Sequence, residues 1–264
     1  MSTAPAHAKL NLVLVVGPRR ADGLHEVATV MQRIALADRI SVEPGDKLSI
    51  EGFPADTLVR RALETLGGSW NVRIEKEIPV AAGLGGGSSD AATALQLANE
   101  SRDRPLDGPA LHELAATLGA DVPFFLTSGP KLARGTGTEL EPLNLPQDYA
   151  VVLVLPHGEA KVSTASVYDA FDKGGGGEGF ETRRAALLEA LGQIAVSEDL
   201  ANLPPNDLAS SPLAGELHAL GAFRAGVTGA GPAVYGLFPD RPSAEKAAAE
   251  IGSRGAVMVT EPAW

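Results

Sequence analysis

The sequence contains no cysteine and few aromatic residues, and acidic residues outnumber basic ones. Without cysteine the chain can form no disulfide, thiolate zinc site, iron–sulfur cluster or cysteine nucleophile, so its chemistry must use oxygen and nitrogen groups. The 22 lysines and arginines against 33 aspartates and glutamates give a formal net charge of −11, which repels polyanions at long range. No run of lysine and arginine with interleaved aromatics offsets this charge locally. We therefore expect no nucleic-acid partner.

Long apolar runs are also missing. The longest, around Leu12–Val16 and Tyr149–Leu155, are far too short to span a bilayer, so we expect no membrane partner. The first run follows Lys9 as in a secretory signal, but Asn11 interrupts it and no small-residue cleavage site follows. We therefore interpret the chain as a cytoplasmic protein. Its 264 residues, 44% of them hydrophobic, suffice for one large domain or two small ones.

The strongest local pattern is a glycine-rich segment between a predicted strand and a predicted helix. The strand runs through Pro79 into Gly83-Leu84-Gly85-Gly86-Gly87-Ser88-Ser89-Asp90, and a helix rich in alanine and leucine is predicted over residues 91–100. Glycines let backbone amides converge on an anion, and the helix directs its positive end to the same place, so the segment predicts a phosphate site. It fits neither a P-loop nor a dinucleotide fingerprint. The alternative is a plain connection in which Ser88 or Ser89 caps the helix.

Polar side chains elsewhere are further candidates for a site. Lys9 and Asn11 project from the same side of a predicted strand. Asp121 follows a predicted helix that ends at Gly119, and it precedes Pro123. Taken alone, Lys9 is more often a surface charge and Asp121 a solvated capping residue. None of the five histidines pairs with another at metal-ligand spacing, so we expect no metal site made of protein side chains alone.

Taken together, these segments resemble the GHMP kinase superfamily over nearly the whole chain. The motifs that carry the resemblance are Ala8-Lys9-Leu10-Asn11-Leu12, Ala21-Asp22-Gly23-Leu24-His25, Pro79 through Ala92, Leu118-Gly119-Ala120-Asp121-Val122-Pro123 and Thr228-Gly229-Ala230-Gly231-Pro232-Ala233. The glycine segment and the last motif are typical of the whole superfamily. The lysine–asparagine strand and the Asp-Gly-x-His motif are typical of the members that phosphorylate a CDP-linked methylerythritol. Homoserine and mevalonate kinases are similar in the loops but not in this N-terminal pair of motifs.

The resemblance implies an α+β fold of two domains. An N-terminal ribosomal-protein-S5-like domain, residues 1–146, would bind ATP and carry catalysis, and a smaller ferredoxin-like domain, residues 147–264, would lie on the substrate side. The implied reaction uses ATP and Mg²⁺ to phosphorylate the 2-hydroxyl of the CDP-linked methylerythritol, in the non-mevalonate route to isoprenoid precursors, by a monomer or homodimer. The alternatives are a GHMP kinase for another alcohol, of the homoserine or mevalonate type, and a GHMP-fold ligand-binding module without turnover.

The resemblance also implies roles for individual residues. Asp121 matches the catalytic base and Lys9 its partner. The implied ATP-binding positions are Pro79, Gly83, Leu84, Gly85, Gly86, Gly87, Ser88 and Ser89, with Thr57 and Lys76 on the adenine side. The implied substrate positions are Asn11, Leu24, His25, Thr164 and Tyr168, the last two in Val162-Ser163-Thr164-Ala165-Ser166-Val167-Tyr168.

Two positions depart from the family pattern. Leu24 stands where the family usually has an aromatic residue, so one wall of the implied cytosine sandwich is aliphatic. Thr57, in Asp56-Thr57-Leu58-Val59, stands where the family commonly has asparagine. The alternative interpretation of Lys76 is an exposed strand lysine.

Overall fold

The computed structural model describes residues 1–53, 57–158 and 163–264. The strands are β1 Ser2–Arg19, β2 His25–Pro44, β3 Ser49–Glu51, β4 Trp70–Glu75, β5 Lys131–Gly135, β6 Glu139–Pro142, β7 Ala150–Pro156, β8 Arg224–Val227, β9 Val234–Phe238 and β10 Gly255–Thr260. The α-helices are α1 Thr57–Leu66, α2 Gly86–Glu100, α3 Gly108–Leu118, α4 Val122–Phe125, α5 Thr164–Lys173, α6 Phe180–Leu191, α7 Pro212–Ala219 and α8 Arg241–Ile251. Two short 3₁₀ helices cover Ser197–Asn202 and Gly252–Arg254. Asp56 and Val162, which the sequence analysis included in motifs, lie outside the described residues.

The chain forms two compact units, and each is assembled from separate segments. The first unit contains Met1–Lys9, Ala35–Ala81 and Gly85–Ser128. The second unit contains Leu10–Ile34, Ala82–Leu84 and Gly129–Trp264. The mixed helix and strand content and the two units agree with the α+β class. The domain division between residues 146 and 147 stays a prediction.

In the first unit, helices pack on one face of a small sheet. The second half of β2 pairs antiparallel with β4, so that Ile40 lies opposite Ile74, and β3 pairs parallel with β4. Along β4 the residues Trp70, Val72 and Ile74 are buried while their neighbours are exposed, which is the alternation of a strand with one covered face. Helices α1 and α2 pack against each other. Four of the nine side chains that α2 buries are alanines, which permit close approach.

In the second unit, the first half of β2 pairs antiparallel with β5, and β5 pairs with β6. A separate sheet of four antiparallel strands has the order β10-β7-β9-β8. Its central strand β7 is buried along residues 150–154, as its continuous apolar run predicts. Helices α7 and α8 cover this sheet, and their buried side chains Leu217, Ala244, Ala247 and Ile251 join its core.

The structure corrects two local predictions. Helix α2 begins at Gly86, not at residue 91. Glycine and serine have low helix propensity, so the start is set by tertiary burial of the first turns, where Ser89 is 1% and Asp90 0% exposed. Glycines at positions 129, 135 and 137 make the following stretch of sequence typical of turns, but this stretch contains strands β5 and β6. Gly135 and Gly137 do form a turn, with φ values of +66° and +101°. That turn joins β5 to β6 in a hairpin, and β5 also pairs with β2. Because β2 is distant in the sequence, no local pattern predicts this pairing.

Arg224 is a buried cation at the start of β8, only 6% exposed. Its guanidinium donates hydrogen bonds to the carbonyl oxygens of Leu12, Leu200, Leu203 and Pro204 at 2.5–3.0 Å. Tyr235 donates its hydroxyl to the same Leu12 carbonyl at 2.8 Å. The planar donor set of arginine therefore ties strand β1 to the segment around residues 200–204 inside the second unit.

We expect Arg224→Ala to lower the free energy of unfolding by about 3–5 kcal/mol, because it leaves several buried carbonyl oxygens without donors. Urea denaturation measures this change. The matched control is Arg241→Ala, because Arg241 is exposed and its ion pairs, with Glu245 and Glu261, lie at the surface. Its loss should change stability by less than about 0.5 kcal/mol. Equal effects of the two substitutions would contradict the structural role of Arg224.

Candidate active site

Lys9 and Asp121 form an ion pair in the first unit. Strand β1 buries the Lys9 side chain to 4% exposure, whereas the Asp121 carboxylate is 38% exposed, and Lys9 Nζ lies 3.4 Å from Asp121 Oδ2. Asp121 occupies the position before α4, but its side chain accepts no capping hydrogen bond. Its interpretation as a helix cap is therefore wrong. The interpretation of Lys9 as a surface charge is also wrong, because its side chain is buried.

The glycine segment ends in a half-buried helix start, of which only Gly87 is exposed. Gly85 precedes α2 in the left-handed conformation, with φ +72°, and the amide of Ser89 donates to the Gly85 carbonyl at 2.9 Å. The N–H groups of Gly86, Gly87 and Ser88 therefore belong to the first turn, where a helix offers them no acceptor of its own. The N-cap residue is Gly85, which makes no side-chain capping hydrogen bond, and Ser88 and Ser89 lie inside the helix, so the alternative in which Ser88 or Ser89 caps it is wrong. Free amides together with the helix dipole favour an anion at this point.

Gly85 also brings the helix start against Lys9. A Cβ atom on residue 85 would lie 3.0 Å from Lys9 Cγ and 3.0 Å from Phe125 Cζ. Both distances are shorter than ordinary contacts between carbon atoms. The absence of a side chain at residue 85 therefore permits the buried lysine and the anion-binding turn to be neighbours.

Lys76 lies beside the same turn but is not a free cation. Its ammonium donates to Asp38 Oδ2 at 2.5 Å and to Asp90 Oδ2 at 2.7 Å. These hydrogen bonds raise the pKa of Lys76 although burial opposes them. Lys76 Nζ lies 3.5 Å from the position of a Cβ on Gly86. The alternative of an exposed strand lysine is wrong, because the side chain is only 17% exposed.

Neither Asp38 nor Asp90 is among the site residues predicted from the sequence. Burial raises the pKa of Asp90 to about 8, against the opposing effect of Lys76 and with a smaller contribution from the charge of Asp38. Asp38 accepts further hydrogen bonds from the amides of Glu77 and Ile78. The sequence does give one signal for Asp90, because this residue ends the glycine–serine run. It gives no such signal for Asp38, which occupies an ordinary strand position.

Asn11 is fixed in the second unit by hydrogen bonds at both its backbone and its side chain. Its amide N–H donates to Thr228 Oγ1 at 2.9 Å, and its side chain donates to Thr29 Oγ1 at 2.8 Å. Thr228 begins the late glycine motif, and the Ala233 amide at the end of that motif donates to the Ala82 carbonyl. The predicted substrate residue therefore has a fixed orientation before any ligand binds.

His25 and Tyr168 are brought together in the second unit, with ring centroids 4.7 Å apart. Phe171 meets the histidine edge-on at 6.3 Å, and His25 Nε2 lies 2.8 Å from Asp172 Oδ1. Asp172 was not predicted, and its only signal is its position one helical turn after Tyr168. Leu24 is 54% exposed.

The other residues predicted for the site differ in their exposure. Thr57 is exposed at the first residue of α1, and Thr164 is exposed at the first residue of α5. Pro79 and Gly83 are half-buried, whereas Leu84 is 1% exposed.

Within the described ranges, no group of three or more histidine, aspartate or glutamate side chains could hold a metal ion. In the same residues no helix has the length and apolar character needed to cross a membrane.

Comparison with known proteins places this geometry in a family. The model of the GHMP kinase N-terminal domain matches residues 55–129, and that of the GHMP kinase C-terminal domain matches residues 184–257. A 4-diphosphocytidyl-2-C-methyl-D-erythritol kinase of Pelotomaculum thermopropionicum is 41% identical over 94% of this chain and 92% of its own. A crystal structure of 4-(cytidine 5'-diphospho)-2C-methyl-D-erythritol kinase covers both chains completely, with a TM-score of 0.79 and 33% identity.

A crystal structure of mevalonate kinase shares the fold, with a TM-score of 0.71 over 99% of both chains, but only 13% identity. The fold and the glycine turn thus define a GHMP kinase, an ATP-dependent small-molecule kinase. The identities narrow this class further: the chain belongs to the family of 4-diphosphocytidyl-2-C-methyl-D-erythritol kinases. The homoserine or mevalonate type of kinase is accordingly disfavoured.

We expect Gly85→Ala to lower the free energy of unfolding by about 1–2 kcal/mol, because an L side chain is strained at this positive φ and would press on Lys9 and Phe125. Thermal denaturation measures the loss. Gly87→Ala is the matched control, since its Cβ would meet no atom within 4 Å and alanine favours a helix, so stability should stay the same or rise. A Gly85→Ala protein as stable as the control would contradict the packing requirement.

Proposed function

We propose that this protein transfers the γ-phosphoryl group of ATP to the 2-hydroxyl of a CDP-linked methylerythritol, in the non-mevalonate route to isoprenoid precursors. The observation that carries the proposal is the Lys9–Asp121 pair beside the left-handed turn at Gly85. A half-exposed carboxylate, a buried ammonium and a helix start with free amides are the groups that phosphoryl transfer to an alcohol requires. We further propose that it acts in the cytoplasm, as a monomer or homodimer.

Asp121 serves as the base in the proposed mechanism. A tertiary alcohol is a poor nucleophile at neutral pH, so a carboxylate that accepts its proton while the bond to phosphorus forms accelerates the reaction by about 10²–10⁴-fold. Lys9 lies against this carboxylate and offers its ammonium to the hydroxyl or to the γ-phosphate. Because Lys9 is 4% exposed, its position is fixed before the substrates arrive.

The amides of the first turn of α2 hold the nucleotide phosphates in this proposal. The turn from Gly83 through Ser89 presents backbone donors and the positive end of the helix, which offset charge that spreads over the transferred group. Pro79 lies on the approach to this turn, and Thr57 and Lys76 stand on the proposed adenine side, where the Lys76 ammonium also lies 3.5 Å from the Cβ position of Gly86. Mg²⁺ supplies additional positive charge to the triphosphate.

Asn11, Leu24, His25, Thr164 and Tyr168 bind the CDP-linked substrate in this proposal. The argument for His25 is its preorganisation, because Asp172 and the two aromatic rings of α5 orient the imidazole. Asn11 is likewise held by Thr29 and Thr228. Fixed polar groups lose little freedom on binding, which favours specificity for one substrate.

Asp121→Asn should lower kcat by about 10²–10⁴-fold while ATP affinity changes little, because the amide cannot accept the proton. Lys9→Ala should also be severe, and the double variant should be scarcely worse than the worse single one, since the two residues act as a unit. A coupled assay of ADP release with the CDP-linked methylerythritol measures these rates.

The control for charge is Asp103→Asn, an exposed position in the same unit, which should leave kcat unchanged. Near-normal kcat in Asp121→Asn, or fully additive losses in the double variant, would remove the assignment of the base. Faster ADP release with homoserine or mevalonate than with the CDP-linked polyol would overturn the proposed acceptor.

Tyr168→Ala should weaken binding of the CDP-linked substrate by about 5- to 100-fold, since stacking on a base contributes about 1–3 kcal/mol. Tyr168→Phe keeps the ring and should bind within about twofold of the wild type. Leu24→Tyr should tighten binding if it supplies a second stacking ring. Calorimetry measures the affinities and a melting curve measures stability. A Tyr168→Ala protein that melts much earlier but binds the substrate normally would show that Tyr168 only packs against His25.

A further inference from the structure

Two buried carboxyl groups and a half-buried ammonium meet one helical turn behind the proposed phosphate site. Asp38 comes from β2, Lys76 from the segment after β4, and Asp90 from α2. Lys76 donates to both carboxylates, at 2.5 Å to Asp38 and 2.7 Å to Asp90, and both carboxylate side chains are 0% exposed. One ammonium thus faces two carboxyl groups, which leaves one excess negative charge in a buried place if both are ionised.

The two carboxyl groups are not equivalent. Asp38 Oδ1 accepts hydrogen bonds from the amides of Glu77 and Ile78, at 2.6 Å and 2.8 Å, while its other oxygen accepts from Lys76. Asp90 Oδ1 is buried and has no hydrogen-bond partner among the described residues. Burial raises the pKa of Asp90 to about 8. Asp90 is therefore the group of the three that binds a proton most readily when negative charge increases nearby.

Such negative charge would arrive with the nucleotide. Asp90 follows Gly86 by one turn of α2, which is about 6 Å along the helix. Lys76 Nζ lies 3.5 Å from the Cβ position of Gly86, and its third N–H remains for another acceptor. The phosphates and the Asp90 carboxylate would therefore compete for the same lysine and the same positive helix end.

We propose that Asp90 is a proton-accepting positioning residue of the nucleotide site: it takes up a proton from solvent when phosphates bind at the start of α2, and so releases the Lys76 ammonium toward them. Asp38 keeps Lys76 in place through this exchange, because its hydrogen bonds to the backbone do not change. This inference rests on the proposed function, since it requires that the glycine turn bind a nucleotide.

The surroundings of Asp90 contribute little other charge. The side chains that act on its pKa through charge or hydrogen bonds are Lys76 and Asp38. On α1, Arg60 is half-buried, whereas Arg61 and Glu64 are exposed. Asp121, which precedes α4, pairs with Lys9, and Arg73 pairs with Glu75 on the exposed side of β4. None of these residues contributes to the shift in the pKa of Asp90. A change in nucleotide affinity over the range where Asp90 titrates is therefore assigned to this group.

Isothermal calorimetry measures the binding of ADP, with saturating Mg²⁺, between about pH 7.5 and 9.5. The terminal phosphate of ADP has a pKa of about 6 and is therefore already ionised over this range. We expect wild-type affinity to fall by about 3- to 10-fold over this range, since one proton changes affinity by at most tenfold per pH unit. The titration is repeated at about pH 8.5 in two buffers of different ionisation enthalpy. The difference between the two binding heats should show the uptake of a fraction of a proton per ADP bound.

Asp90→Asn carries no titrating group but keeps the shape of the side chain. We expect its affinity for ADP to vary by less than about twofold over the same pH range, without the proton uptake. Glu77→Gln is the matched control, because it removes one exposed negative charge next to the network and should keep the wild-type pH dependence. Proton uptake that persists unchanged in Asp90→Asn would overturn the proposal.

The wild-type measurement decides the matter even if Asp90→Asn fails to fold. Wild-type ADP affinity that is flat with pH, with equal heats in both buffers after correction, would overturn the role of Asp90 and leave the proposed kinase function intact. No ADP binding at any pH would instead contradict the proposed function. A purely structural role for Asp90 would alter the melting temperature of Asp90→Asn without altering the pH dependence of ADP affinity.

Discussion

The close approach of strand β1 to the start of α2 is the constraint on which the proposed catalytic site depends. Lys9 can lie against this turn only because residue 85 has no side chain and adopts a positive φ. The same conformation starts the helix without a capping side chain, so the first amides remain available to an anion. One glycine therefore determines both where the cation lies and where the phosphate donors point.

Two buried cations and one half-buried cation have three different kinds of partner in this acidic protein. Arg224 is satisfied by carbonyl oxygens and serves the fold of the second unit. Lys9 has a half-exposed carboxylate as its partner, which leaves that carboxylate accessible to a substrate. Lys76 has two buried carboxylates, one of them with an oxygen that lacks a partner among the described residues. The number and exposure of the partners separate a structural cation from one that can take part in binding or catalysis.

The side chains proposed for the CDP-linked substrate are held by neighbours of their own. Thr29 and Thr228 orient Asn11, and Asp172 with Tyr168 orients His25. Each of these supporting contacts lies within the second unit. Leu24 is the contrasting case, because it is exposed and aliphatic. Recognition of the base would then depend more on the ordered histidine and tyrosine than on a two-sided stack.

Much of the anion-binding turn could be predicted from the sequence, because its properties are local. Glycines at positions 83 and 85 permit positive φ, and the helix that follows supplies the free amides and the dipole, whatever the rest of the chain does. Yet the helix start at Gly86 escaped prediction, since glycine and serine disfavour helix and only tertiary burial of Ser89 and Asp90 stabilises those turns.

The motifs around Lys9 and Asp121 indicated the family and the reaction by resemblance, and the absence of cysteine by itself excluded thiol chemistry. Tertiary structure alone decided which side chains meet: Lys9 with Asp121, Lys76 with Asp38 and Asp90, and His25 with Asp172. These pairs join segments far apart in the chain, so no local periodicity or propensity encodes them. Their burial, which sets the pKa of Asp90, likewise arises only when several elements pack around the same carboxyl group.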